Sequence, residues 1–253
     1  MFNPEYYVGT IGYLMSELEK IPEYRMGVHR GQAVIREYQC GIDRSQRVRQ
    51  VKADSPKGRK LLSSVQKRNE LKYRINSLIS EFENTYNMNY KKAQDIYSFS
   101  DQYKHPLDNA FWSRLQSSCN TYPKNNNYCY KGTHFRSRAE VRFAETLDKL
   151  GLQYRYEVRI WVGKKEYDVD FVIWLPQFNC CILIEYFGSM TDPHRIQESG
   201  SKFMTYSRAG IMSGEDIIYF CGTENKMPAT STIEETVTGV INGISRQHVI
   251  LMH

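Results

Sequence analysis

Proline is scarce and long apolar runs are missing. Eight prolines and 16 glycines in 253 residues rule out a collagen-like or low-complexity chain, and a 41% hydrophobic fraction rules out wholesale disorder. No apolar stretch approaches the ~18 residues of a membrane helix. The longest, residues 171–176 and 180–184, are strand-sized. The six cysteines (Cys40, Cys119, Cys129, Cys180, Cys181 and Cys221) form no C-x-x-C pair and no histidine cluster joins them. Zinc ligation therefore lacks its usual signature, and free, partly buried thiols are expected. The opening Met1-Phe2-Asn3-Pro4-Glu5 carries no basic leader or apolar signal core. The expectation is a cytoplasmic protein with no membrane partner.

What is present is positive charge, unevenly placed. The chain carries 34 Lys and Arg against 28 Asp and Glu, a net charge of +6. Residues 1–130 hold a net +7 and residues 131–253 a net −1, while residues 25–74 alone hold 14 basic and four acidic side chains. Such a cationic half suits a polyanion, because each phosphate contact releases counterions. A solvated basic helix face gives the same count.

The sequence divides into a basic, mainly helical N-terminal region (1–116), a polar linker (117–133) and an α/β region (134–253). In the first, residues 28–40 and 47–53 suggest a small hairpin. Ser55-Pro56 supplies an N-cap followed by proline at the first helical position. Leu71, Ile75, Leu78, Ile79 and Phe82 then form a helical stripe, giving a long helix over about 57–83. That stripe also offers a surface for a protein partner or self-association. From residue 136 the pattern predicts a helix (138–150), strands at 154–162, 167–174 and 180–187, and a helix opened by Asp192-Pro193. A strand near 215–221 and a helix over 233–244 follow, so the order is α-β-β-β-α-β-α.

Three carboxylates sit where a solvated acid would not be placed. Period-2 geometry puts Asp168, Asp170, Val172 and Trp174 on one strand face, and Glu185 with Cys181, Leu183 and Phe187 on another. If Trp174 lies opposite Cys181 in an antiparallel hairpin, Asp170 lies opposite Glu185. Two like charges facing each other among apolar residues destabilise a sheet. A hard divalent cation, Mg²⁺ or Mn²⁺, would relieve them. Pairing with a basic neighbour would do the same. Glu140 fits two readings equally: the last member of a Ser137-Arg138-Ala139-Glu140 capping box, or the start of a core-facing stripe with Phe143, Ala144 and Leu147 that reaches the metal.

These residues resemble the PD-(D/E)XK, or restriction-endonuclease-like, nuclease superfamily, whose core is α-β-β-β-α-β. The likeness rests on Arg136-Ser137-Arg138-Ala139-Glu140, Tyr154-Arg155-Tyr156-Glu157, Asp168-Val169-Asp170-Phe171 and Ile184-Glu185-Tyr186-Phe187-Gly188. It covers about half the chain, residues 136–244. It is closest to branches in which an I-E-[YFH]-F-G run replaces E-x-K. The resemblance implies a mixed sheet flanked by helices. It also implies Asp170 and Glu185 as metal ligands, helped by the Tyr186 carbonyl, with Glu140 as an accessory ligand. Phe187 stands where the motif lysine is expected, and Lys202 on the following helix is the implied replacement, with Tyr206 one turn on. The implied activity is Mg²⁺-dependent hydrolysis of phosphodiester bonds in DNA, with Mn²⁺ as a substitute ion. Arg30, Arg36, Arg47, Arg49, Lys67, Arg68, Lys72 and Arg74 would hold the phosphate backbone. The alternative is a catalytically inactive nuclease-like subunit that binds DNA or assembles with a partner. Nothing in the chain separates DNA from RNA.

Overall fold

A computed structural model describes residues 1–38, 49–100, 103–118, 127–223 and 225–252. The chain is a mixed α/β protein that divides into two units. One comprises residues 7–98 and 251–253, the other residues 1–6 and 99–250.

In the first unit, α1 (Pro4–Glu19) runs in from the other unit and buries Tyr7, Ile11 and Leu14. Strands β1 (Glu23–His29), β2 (Gln32–Tyr38) and β3 (Arg49–Lys52) then form an antiparallel meander. β2 and β3 lie within the segments expected to form a hairpin, 28–40 and 47–53; residues 39–48 lie outside the described ones, and the Arg30-Gly31 turn divides the first segment and gives β1 as a further strand. The β1–β2 turn is Arg30-Gly31, with φ of 50° and 76°, the conformation of a tight two-residue hairpin. Helix α2 (Pro56–Tyr86) is the long helix expected; the Ser55 side chain accepts the Gly58 amide at 3.0 Å, and Ile75 and Phe82 are buried. α3 (Tyr90–Ile96) leads into β4 (Tyr97–Phe99).

The second unit holds α4 (Asn109–Arg114), β5 (Gln116–Ser117), the small hairpin of β6 (Cys129–Tyr130) and β7 (Thr133–His134), and α5 (Arg138–Lys149). Then come β8 (Gln153–Val162), β9 (Lys165–Leu175), β10 (Cys180–Phe187), α6 (Pro193–Arg208), β11 (Ile217–Cys221), α7 (Thr230–His248) and β12 (Val249–Leu251). From α5 onward this is the α-β-β-β-α-β-α order read from the sequence. Five strands make one sheet, β11-β10-β9-β8-β5, antiparallel except for the β10–β11 pair. α5 covers one face through Phe143, whose ring meets Phe171, Tyr186 and Phe220 at 5.9, 5.7 and 4.9 Å. α4 and α6 cover the other, where Trp112 and Tyr206 join Val172, Trp174, Cys181, Leu183 and Ile217.

The division at residues 98–99 corrects the 117–133 linker. Residues 107–118 belong to the α/β unit because the sheet binds them. The Cys181 amide donates to the Leu107 carbonyl at 2.6 Å, and Arg155 donates to the Trp112 and Leu115 carbonyls while stacking 4.2 Å over the Trp112 ring. No helix among the described residues is long and apolar enough to cross a membrane.

Candidate active site

The β9–β10 ladder has the register inferred from sequence, with Trp174 opposite Cys181, and runs to Phe171 opposite Ile184. The next step would pair Asp170 with Glu185. There the backbone pairing stops, and the Asp170 side chain takes over: its Oδ2 accepts the Tyr186 amide at 2.7 Å. A carboxylate replaces a carbonyl, and the two strands separate beyond it.

A second distortion lies on the other side of Asp170. The β8–β9 ladder skips the Glu157–Asp170 position, and Glu157 has φ of 53°, a left-handed conformation uncommon for any residue but glycine. The pleat changes face there. Tyr154, Tyr156 and Phe171 pack on the α5 side, while Val158, Ile160, Tyr167 and Val169 join Val172 and Trp174 on the α6 side. The single face expected for Asp168, Asp170, Val172 and Trp174 is therefore broken. Asp168 instead lies by Arg159, 3.7 Å from its Nε. Glu157 is buried and ion-paired with Arg136.

Glu185 is 1% exposed, at the end of an apolar strand. α6 supplies both of its partners. Lys202 Nζ donates to Oε2 at 2.8 Å, lies 2.7 Å from Oε1, and also donates to the Asp168 carbonyl at 2.6 Å. Tyr206, one turn on, donates its hydroxyl to Oε1 at 2.8 Å. Asp192 starts this helix by accepting the His194 amide, with Pro193 at its first position. Glu140 starts the buried stripe of α5 with Phe143, Ala144 and Leu147 and meets the capping box in part. Its amide donates to Ser137 Oγ and its Oε2 accepts the Arg136 amide at 2.8 Å, one residue further back than a capping box reaches. The same Oε2 accepts the Tyr156 hydroxyl at 2.7 Å.

Asp170, Glu185, Glu140 and Lys202 line one open cleft of about 1070 Å³, with Arg136, Lys165, His194 and Arg195 around them. Burial, then the Glu185 charge, pushes the Asp170 carboxyl up to about 8 against the opposing effects of Lys202 and the Tyr186 amide; the Glu140 charge adds to the rise. Burial also raises Glu185, opposed by Lys202 and Tyr206. The Tyr206 hydroxyl is held far above its ordinary range by burial and by Glu185.

Among the described residues no three His, Cys, Asp or Glu side chains form a metal-binding group. Mg²⁺ is commonly held by one or two carboxylates with the remaining positions filled by water, so a two-carboxylate site suits it. The Asp170–Glu185 pair fits such an ion chemically: all-oxygen donors, Asp170 Oδ1 without a hydrogen bond from the described residues, and a charge repulsion that a cation removes as a proton does. The Tyr186 ring is wedged between glycines: a Cβ on Gly222 would lie 2.3 Å from its hydroxyl, and one on Gly188 would lie 3.3 Å from the ring.

The N-terminal basic residues fare differently from one another. Lys67, Lys72 and Arg74 are exposed on α2, and Arg30 is exposed in its turn. Arg36 lies across Gly27, where an added Cβ would meet its Cζ at 3.2 Å. Arg68 is a correction. Its guanidinium donates to the Leu18 and Ile21 carbonyls at 2.8 and 2.5 Å, binding α2 to the end of α1 instead of facing a phosphate. Arg49 is in β3, and Arg47 lies outside the described residues.

Sequence reasoning missed three groups here. Tyr206 read only as lying one turn beyond Lys202 and Tyr156 as a sheet aromatic, though each directs its hydroxyl to a carboxylate, and Glu157 read as an ordinary strand residue. A tyrosine one turn beyond a lysine aimed at a buried acid is the signal that marks Tyr206. Compared with known proteins, the chain matches no family model, no curated protein and no solved structure.

Proposed function

We propose that the cleft is the active site of a metal-dependent phosphodiester hydrolase acting on nucleic acid, most plainly DNA, with a restriction-endonuclease-like core. The observation that carries this reading is the meeting of a buried carboxylate, Glu185, and a half-buried one, Asp170, from separating strands with a lysine from the following helix, in a cleft open to solvent. Asp170 and Glu185 would hold Mg²⁺ or Mn²⁺, with the Tyr186 carbonyl as a backbone ligand. When bound, such an ion supplies Lewis acidity toward a phosphoryl oxygen. Lys202 Nζ, released from Glu185, donates to the negative charge that builds on the phosphate. Glu140, fixed by Tyr156 and the Arg136 amide, adds negative charge beside Asp170. Arg30, Lys67, Lys72 and Arg74 supply exposed cations for the backbone phosphates.

A nicking assay on plasmid and single-stranded DNA, with EDTA or Mg²⁺, tests this reading. Metal-dependent cleavage that Asp170→Asn abolishes supports it. Cleavage that survives in Asp170→Asn, or none with either ion, rejects it. One observation favours the second reading, an inactive DNA-binding subunit: Glu185 is already ion-paired with Lys202 and hydrogen-bonded by Tyr206. DNA binding without cleavage, and no heat on Mn²⁺ titration, would select that reading.

A further inference from the structure

We propose that Tyr206 is the positioning residue of this site, pinning Glu185 through Oε1 so that Oε2 is the oxygen offered to a divalent ion. The inference rests on the metal-dependent reading above and adds to it which atom of Glu185 turns toward the ion, and what holds it.

The two groups on Glu185 differ in kind. Lys202 carries a full positive charge on a flexible four-carbon stem, and its side chain is 24% exposed. A divalent cation beside Glu185 repels it, so the ammonium and the ion compete for the carboxylate. Tyr206 is neutral and wholly buried. Its ring is fixed among the apolar residues of the α6 face and lies 5.6 Å from the Tyr167 ring. Its hydroxyl donates to Glu185 Oε1. A neutral donor does not oppose a cation, and a packed ring does not withdraw. When Lys202 gives way, Tyr206 keeps Oε1, and the carboxylate is left with one free oxygen in a set orientation. Hydrogen bonds of this sort to a metal ligand fix its orientation, and removing one typically weakens metal affinity 10–100-fold.

A natural comparator lies next door. Tyr219 is the register partner of Glu185 on β11, and its hydroxyl is buried without a hydrogen-bond partner among the described residues. It is a second phenol close to the carboxylate but not bonded to it.

The test is Mn²⁺ binding by calorimetry on the full chain, for the wild type, Tyr206→Phe and Tyr219→Phe, with thermal unfolding in EDTA beside it. Tyr206→Phe is expected to weaken Mn²⁺ binding about 10–100-fold. Raising Mn²⁺ should restore its cleavage, so the loss falls on the metal half-saturation and not on the maximal rate. Tyr219→Phe should bind within about twofold of wild type. Tyr206→His, which keeps a donor of shorter reach, should lie between them and serves as the second variant if the phenylalanine form folds poorly. A purely structural tyrosine would lower the unfolding midpoint in EDTA and leave the Mn²⁺ affinity unchanged; that result overturns the inference alone. Equal weakening by Tyr219→Phe overturns it too. A wild-type chain that neither binds Mn²⁺ nor cleaves removes the parent reading, and this inference with it.

Discussion

Asp170 pays twice for its place: it is desolvated, and it faces the charge of Glu185. Its carboxyl ionises at 3.8 in an unstructured chain and at about 8 in the folded one. Between those values the native state binds more protons than the unfolded state, so stability falls as pH rises through that window. In EDTA the unfolding midpoint should therefore drop from pH 5 to pH 8. Asp170→Asn keeps an acceptor for the Tyr186 amide without the charge, and should raise the midpoint at pH 8 and flatten its slope. A slope unchanged in the variant would show that other groups govern it. At Arg68 the expectation separates structure from binding. Arg68→Ala removes two hydrogen bonds from a charged donor and should destabilise the first unit by roughly 2–3 kcal/mol in urea unfolding. Lys67→Ala and Lys72→Ala, both exposed, should change stability by less than ~0.5 kcal/mol and show their effect as weaker, more shallowly salt-dependent DNA binding.

At the scale of elements, helix α2 starts under steric pressure. A Cβ on Gly58 would lie 2.0 Å from the Lys52 carbonyl oxygen and 2.7 Å from that of Ala53, both backbone atoms. Gly58→Ala gains up to ~1 kcal/mol of helix propensity. Forcing those backbone atoms apart costs more, and a net loss of about 1–2 kcal/mol is expected from thermal or urea unfolding. Ser55→Ala should cost ~1 kcal/mol through the lost cap. This helix, and the order of elements from α5 to α7, were legible because caps, apolar stripes and period-2 runs are local signals. The register of Trp174 against Cys181 was legible by arithmetic, which brings Asp170 to the level of Glu185. The break in the pleat was not, because alternation assumes a regular strand and nothing in Tyr156-Glu157-Val158 announces a left-handed residue. Nor was β5: two residues, Gln116 and Ser117, give no periodicity, and their pairing to β8 depends on distant partners. Lys202 entered only through the family resemblance, since one lysine on a helix carries no pattern of its own.

At the scale of the molecule, the α/β unit is completed by the first six residues. The Asn3 amide donates to Asn242 Oδ1 at 2.8 Å and its Nδ2 to the Asn242 carbonyl at 3.1 Å. Its Oδ1 accepts from Tyr6 N and Ser245 Oγ. Asn3→Ala strands several buried polar groups together, and a loss of roughly 2–4 kcal/mol is expected. Hydrogen exchange checks it: α7 amides should lose protection while those of α2 keep theirs. Equal loss in both helices would mean that the damage is not confined to this unit. The arrangement also sets a timetable for the ribosome. The opening hexapeptide is made first, whereas its partners on α7 are made near the end of the chain. At ~5–20 residues per second, that wait is on the order of 12–48 s. Throughout it the polar groups of Asn3 stand without Asn242 and Ser245, and chaperones have that long to hold them.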